Sequence, residues 1–466
     1  MRRAAQALLL LVSTILCFLL LPRVDRRPAI RQGYALPLYT ARSGRTCDNC
    51  HTNPTGWENP SLPWRKCTLS CQACHLNPSG GGLRTTPGRF YAQATLPMLF
   101  ASHRGYKDWN RHLVGSMKNL ELKRRNRLVD PAFWHPLGGP SKMAFLQSRY
   151  AGLNADPLLF FGVDSRLAWW YSGRNHAVFP MQFDLHAGLR MVRHLVVAAT
   201  GGLIAQLKDA DRSHWKRISA GLKDVYVMVD QLPMMTYIRA GRFLPPFGTN
   251  IDDHTSPIRR DFELDGSRLD SRVTGVEIGM APNYPYVQFA VFRPNPGDLI
   301  PKSIQPPFLG VKGWGIAASA GWRDLAWQLG VSFMMKRRNI ADGGDIEAYS
   351  VQWGFNPWYF SNKFPLTYMG EFAAERYRRE GSVTSAWRFA VFNELDYLLF
   401  NGVNLSVKHD YSDADLKVAD DHANRLTFGV DLHVLPSFTI KTQARLNFLP
   451  HVGVQPDFFM YLRGFW

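Results

Sequence analysis

Two short stretches of the chain carry the residue types needed to attach haem covalently. Cys47-Asp48-Asn49-Cys50-His51 and Cys71-Gln72-Ala73-Cys74-His75 both read C-x-x-C-H. This spacing lets two thiolates add across the vinyl groups of one haem, while the adjacent His51 or His75 reaches the iron from the proximal side. The residues alone leave a zinc alternative open, because Cys47, Cys50, Cys71 and Cys74 also have legal spacing for a four-thiolate site. Zinc leaves unexplained why a His follows each pair. Cys67 complicates the second stretch: Cys67-x-x-x-Cys71-x-x-Cys74 is similar to the ligand pattern of radical-SAM clusters, which belong to a reducing compartment. The plainer reading makes Cys67 a leftover thiol.

An iron that only carries electrons needs a sixth ligand. His103 and His112 follow the motifs soonest and are the first candidates as distal metal ligands, with Met98 and His135 behind them. For each of these the alternative is a surface or packing role. An open sixth position points instead to small-ligand binding or catalysis. Pro and Gly crowd the same region (Asn53-Pro54-Thr55-Gly56, then Asn77-Pro78-Ser79-Gly80-Gly81-Gly82). Little periodicity survives there, so two c-type haems, rather than an apolar core, are expected to organise residues 31–140.

The elements around this segment follow from where charge and hydropathy lie. The chain has 466 residues and a net charge of +18, a surplus that by itself suggests an acidic polymer as partner. Residues 1–30 hold five Arg and one Asp, residues 31–130 hold 15 Lys or Arg against five acids, and the rest is near balance. Met1-Arg2-Arg3 precedes an apolar run from Ala7 to Leu21. That run matches a secretory leader and is shorter than a helical span, so residues 1–30 are read as a signal peptide, with an uncleaved anchor as the alternative. Export removes nucleic acid from the expected partners.

From about residue 145 the period becomes two. Phe438, Ile440, Thr442, Ala444, Leu446 and Phe448 alternate with Thr439, Lys441, Gln443, Arg445 and Asn447. Leu426–Val434, Leu325–Met335 and Met181–Leu189 repeat the pattern. A soluble β-sandwich also alternates. Three features favour a transmembrane antiparallel β-barrel over residues 141–466, all-β in class. Aromatic residues cluster near strand ends, as in Trp169-Trp170-Tyr171, Trp353-Gly354-Phe355 and Trp358-Tyr359-Phe360. About 320 residues, at roughly 20 per strand and connection, give some 16 strands. The chain also closes on an aromatic strand, Pro456 to Trp466. Residues 244–271 and 295–312 are too long for turns and suit extracellular or lumen-folded loops. The charged group Asp252, Asp253, His254, Arg259, Arg260, Asp261, Glu263 and Asp265 reads as a solvated loop face, with cation binding as the alternative.

With these residues in place, the chain resembles the fused cytochrome–porins of the bacterial outer membrane. In that family a small, irregular c-type haem segment plugs a porin barrel. Arg239-Ala240-Gly241-Arg242-Phe243-Leu244-Pro245-Pro246-Phe247-Gly248 also resembles a strand-end motif of phosphate-selective porins. The resemblance implies haem held by Cys47 and Cys50 and by Cys71 and Cys74, with His51 and His75 proximal. It further implies an outer-membrane location in a Gram-negative bacterium, contact with outer-membrane lipid, and electron exchange between periplasmic electron carriers and an extracellular electron donor or acceptor. Two haem motifs stand where that family typically has one, which puts direct iron oxidation in doubt. The chain therefore reads as an electron-transfer protein more than a substrate-converting enzyme. The alternative is a solute porin whose haem segment acts as plug, gate or redox sensor.

Overall fold

The computed structural model describes residues 71–85, except position 74, and residues 158–465. The described residues leave out 174, 193, 208–214, 263, 265–270, 282–283, 295–312, 325, 339–343, 358–365, 379–384, 401–402 and 436–437. The expectations placed on residues 1–30, and on the loop at 295–312, lie outside them.

Sixteen strands follow one another along the chain. They are β1 (Leu159–Ser172), β2 (Asn175–Val192), β3 (Leu195–Leu207), β4 (Trp215–Leu232), β5 (Thr236–Phe243), β6 (Val273–Met280), β7 (Pro285–Arg293) and β8 (Gly313–Arg323). There follow β9 (Trp327–Arg338), β10 (Ile346–Phe355), β11 (Leu366–Arg378), β12 (Ser385–Phe400), β13 (Val403–Asp413), β14 (His422–Leu435), β15 (Phe438–Leu449) and β16 (Gly453–Phe465). Each pairs antiparallel with its sequence neighbours, and β16 pairs with β1 to close the barrel, with Asp164 opposite Phe465 and Tyr171 opposite Phe458. Closure leaves no strand edge unpaired.

The outer face is apolar. On β9, Leu329 and Val331 lie 52% and 55% exposed, while Gln328 and Ser332 on either side of them turn inward and are buried. Exposed aromatic residues form two bands. Tyr171, Trp314, Tyr349 and Trp387 lie near one end; Tyr284, Trp322, Trp327 and Tyr397 lie near the other. An apolar belt between two aromatic girdles on a closed sheet is a lipid-facing surface. Trp358-Tyr359-Phe360 falls outside the described residues. The connections after even-numbered strands include short ones such as Val192 to Leu195 and Phe400 to Val403, and those after odd-numbered strands include the long connection over residues 244–272. These two ends are termed the turn end and the loop end.

The structure corrects the period in two places. Met181 shares the predicted outward phase of Phe183 and Leu185, yet it is buried inside with Phe179, Ala168, Phe459 and Tyr461. A β-bulge opposite Arg166 and Leu167 inserts one residue into β2 and reverses the phase at that point. The inner face is also not polar throughout. From β3 to β12 it carries Val196, Tyr226, Met228, Tyr237, Phe243, Phe292, Met334, Met369 and Phe392, which form one buried cluster. Apolar groups facing a lumen need something to cover them, and two inserted segments do so.

Candidate functional site

The first insertion contains the second C-x-x-C-H motif. Cys71–Ala73 forms a 3-10 turn, and the His75 amide donates to the Cys71 carbonyl at 2.8 Å. Cys71 and His75 thus stand one helical turn apart, four residues along the chain. His75 then faces Arg84 in an antiparallel bridge, and the Leu76 amide donates to the Leu83 carbonyl at 2.9 Å. Between these limbs Gly80, Gly81 and Gly82 have φ of 86°, 77° and 63°. Three successive left-handed positions need glycine, and the Asn77 side chain braces the reversal by donating to the Gly80 carbonyl at 2.8 Å.

This hairpin lies in the barrel lumen. Leu76 and Leu83 are buried in the same apolar cluster as Tyr226, Met228 and Tyr237. Gln72 Nε2 donates to the Met235 carbonyl at 2.9 Å, in the turn between β4 and β5. Arg323, at the end of β8, directs Nη1 to Cys71 Sγ at 3.6 Å. Arg84 stacks 4.2 Å over the ring of Phe465, at the end of β16. These partners all stand at the turn end, so both limbs face that mouth. The reversal reaches inward: Arg239 Nη1 donates to Asn77 Oδ1 at 3.0 Å, Gln288 Nε2 to Ser79 Oγ at 3.3 Å, and Asn250 Nδ2 to the Gly80 carbonyl at 3.0 Å.

Arg239 is the hub of this contact. It is fully buried on β5, and its charge is met by Glu277 of β6 at 2.7 Å. Tyr237 Oη donates to the other Glu277 oxygen at 2.5 Å, and Gln288 Nε2 donates to Tyr237 Oη at 2.8 Å. The guanidinium lies 4.3 Å over the Phe243 ring. Glu277 thus compensates the buried cation, and a second arm of the guanidinium remains for the hairpin.

Cys71 is half-buried, and Gly80 lies beside its sulfur, where an added Cβ would stand at an ordinary contact distance of 3.8 Å. A haem on this motif would be held by Cys71 and Cys74, with His75 as proximal ligand. Cys74 lies outside the described residues, as do Cys47, Cys50, His51, Cys67, Met98, His103, His112 and His135. Of the expected site residues, the structure therefore locates Cys71 and His75 and brings them together in the lumen. Sequence reading missed Gln72, Asn77, Gln288 and Arg323 as seating residues. Arg239 was singled out only through its strand-end motif.

The second insertion is the connection between β5 and β6. Gly248, at φ 62°, lets it turn inward over Glu371 of β11. Phe247, Ile251, Ile258 and Phe262 then cover the apolar inner wall. Arg259 pairs with Glu371, whose Oε2 also accepts from the Thr249 amide at 2.8 Å. The tip crosses to the opposite wall. Asp252 meets Arg166 of β1 at 2.5 Å and also pairs with Arg463 of β16. Asp253 meets Lys408 of β13 at 3.1 Å, and Ser256 Oγ donates to Asp410 at 2.6 Å. Arg425 donates to the Thr255 carbonyl and Arg445 to Thr255 Oγ1, both at 3.0 Å.

Asp253 and Arg259 are therefore not part of a solvated face; Asp252 is paired but keeps 41% of its side chain exposed, and Arg260, at 55%, stays solvated as expected. The wall is basic where the tip is acidic, a match that sequence distance conceals. Burial opposes the charge of Asp253, but Lys408, Arg445 and Arg425 outweigh it and hold its carboxyl well below the ordinary range. Glu263 and Asp265 lie outside the described residues. Among the described residues no cluster of three or more His, Cys, Asp or Glu could hold a metal ion by themselves.

No protein-family model and no curated protein matches the sequence. Solved structures with a similar backbone include a loop-deletion mutant of OmpT, an outer membrane protein of Vibrio cholerae, at 10% identity over 66% of this chain and 99% of that one, with a TM-score of 0.48. Another is an anion-selective porin from Comamonas acidovorans, at 11% identity over 66% and 98% of the two chains, TM-score 0.46. A third is the outer membrane channel DcaP of Acinetobacter baumannii, at 11% identity over 66% and 97%, TM-score 0.45.

Proposed function

We propose that this chain is an outer-membrane electron conduit of a Gram-negative bacterium, a porin-like barrel whose lumen holds a c-type haem segment. Two covalent haems, at Cys47, Cys50 and His51 and at Cys71, Cys74 and His75, would carry electrons between periplasmic carriers and an extracellular donor or acceptor. The observation that supports this reading is the seat of Cys71–Thr85. A C-x-x-C-H turn is built into the lumen wall through Gln72, Asn77 and Ser79, at the end of the barrel where outer-membrane proteins carry their short periplasmic turns. Protein packed around a haem excludes water and sets its potential through ligands and burial.

The test is reconstitution of the purified chain in liposomes loaded with a redox dye. Reductant added outside is expected to reduce the enclosed dye, and no longer to do so in the Cys71→Ser, Cys74→Ser double variant. Dye that stays oxidised with the wild-type chain rejects the conduit in favour of a solute porin with a haem-bearing plug. A haem-stained denaturing gel with absorbance stoichiometry is expected to give two haems per wild-type chain and one in the double variant.

A further inference from the structure

We propose that the outer face of β12 and β13 is a dimer interface within the membrane, where Asn393 and His409 hydrogen-bond to the same two residues of a second copy of this chain.

The outward positions of β12 are Trp387, Phe389, Val391, Asn393, Leu395 and Tyr397, and those of β13 are Leu405, Val407, His409 and Tyr411. One strongly polar residue interrupts each series, and the two stand directly opposite in the strand register. Trp387 and Tyr397 belong to the two aromatic bands, so Asn393 lies inside the belt between them. Four residues from Tyr397 along a tilted strand place it roughly 10 Å from the turn-end band. Both side chains are half-buried and remain open to the outside. Polar groups at this depth ordinarily face the interior of a membrane protein, because acyl chains offer them no hydrogen bond.

The neighbouring strands fix what this pair presents. Trp353 of β10 packs over Gly370 of β11, where an added Cβ would stand 2.5 Å from its ring. Trp353 Nε1 donates to Tyr368 Oη at 3.2 Å, and Tyr368 Oη donates to Asn393 Oδ1 at 2.6 Å. The amide oxygen is thus occupied, while Nδ2, a donor, makes no hydrogen bond among the described residues. On the other side His409 Nε2 lies 2.9 Å from Asn424 Oδ1. An amide oxygen only accepts, which assigns the ring proton to Nε2 and leaves Nδ1 as an acceptor. Nδ1 likewise makes no hydrogen bond among the described residues.

A donor and an acceptor side by side are self-complementary. A two-fold axis along the membrane normal, passing between β12 and β13, sets Asn393 Nδ2 against Nδ1 of His409 of the partner subunit. The same contact then recurs on the other side of the axis. Lipid chains supply neither group at this depth. A three-fold ring would bring a different face against this one and would not repeat the pair. Val391, Leu395 and Val407 add apolar contact around it.

The experiment uses the full chain in lipid vesicles, as wild type and as Asn393→Leu and His409→Leu variants. Energy transfer between fluorophore-labelled copies is followed as added lipid dilutes the protein. Leucine suits a lipid-facing surface, and heat-modifiable gel migration checks that each barrel is folded. Wild-type copies are expected to form dimers, and each substitution to weaken them by about tenfold. Mixing the two variants is the discriminating arm. A mixed dimer keeps one complete Asn393–His409 contact, whereas either variant alone keeps none. The two variants are therefore expected to pair with each other in preference to themselves. Wild-type copies that stay monomeric or assemble as trimers overturn the proposal, and so do variants that dimerise as tightly as wild type or mix at random.

Discussion

Asn77 accepts a hydrogen bond from Arg239 at 3.0 Å across 162 residues of chain, and that contact ties the haem-motif hairpin to the barrel wall. The same guanidinium is paired with Glu277, so the two ends of the contact have different consequences when cut. Arg239→Ala leaves Glu277 buried and unpaired, and is expected to cost the barrel about 3–5 kcal/mol in urea unfolding. Asn77→Ala keeps the ion pair and leaves the barrel midpoint unchanged. It is expected to weaken seating of the hairpin by about 1.5–3 kcal/mol, read as faster proteolysis between residues 77 and 82.

Gly81 and Gly82 hold φ of 77° and 63° at the tip of the hairpin. Alanine at either position costs roughly 1–2 kcal/mol in a left-handed conformation. Both variants are expected to raise the mean conductance of the barrel in planar bilayers, because the strained hairpin leaves its seat more often. Conductance equal to wild type in both would show that the hairpin does not obstruct the lumen.

Asp253 tethers the inserted loop to Lys408 at 3.1 Å, and its carboxyl is held well below the ordinary range. A depressed folded-state value stabilises the attached loop at every pH above the free carboxylate value of about 3.9. The contribution is lost only as pH falls below that, through the folded value. Conductance is therefore expected to stay constant from neutral pH down to about pH 4 and to rise in stronger acid. Asp253→Asn is expected to show the raised conductance already at neutral pH.

Val331 sits mid-strand on β9, 55% exposed on the outer face between Leu329 and Phe333. Val331→Arg is expected to cost about 2–4 kcal/mol of folding free energy in lipid vesicles. A conservative change at the same position is the control: Val331→Leu should change stability much less. Equal losses in the two variants would contradict a lipid-facing belt.

The barrel was largely legible from periodicity, and the reasons are local. Alternation such as Thr439 in, Ile440 out is a property of each strand by itself, and strand count follows from length. Where reading failed, something non-local intervened. Met181 faces inward because a bulge opposite Arg166 and Leu167 shifts the phase of β2. Asp253 resembled part of a solvated acidic run because its partner Lys408 is strands away in sequence. Phe292, Met334 and Phe392 face the lumen because Phe247, Ile251 and Phe262 come in to cover them.

The chemistry divides in the same way. The sequence by itself determined that two C-x-x-C-H units precede a run of alternating strands, because thioether spacing and strand period are short-range properties. Only the tertiary structure decided that the second unit is a hairpin inside the barrel, seated on Arg239, Gln288 and Met235. Closure of β16 onto β1 is the physical reason, since a closed barrel turns alternate residues of distant strands toward one shared interior.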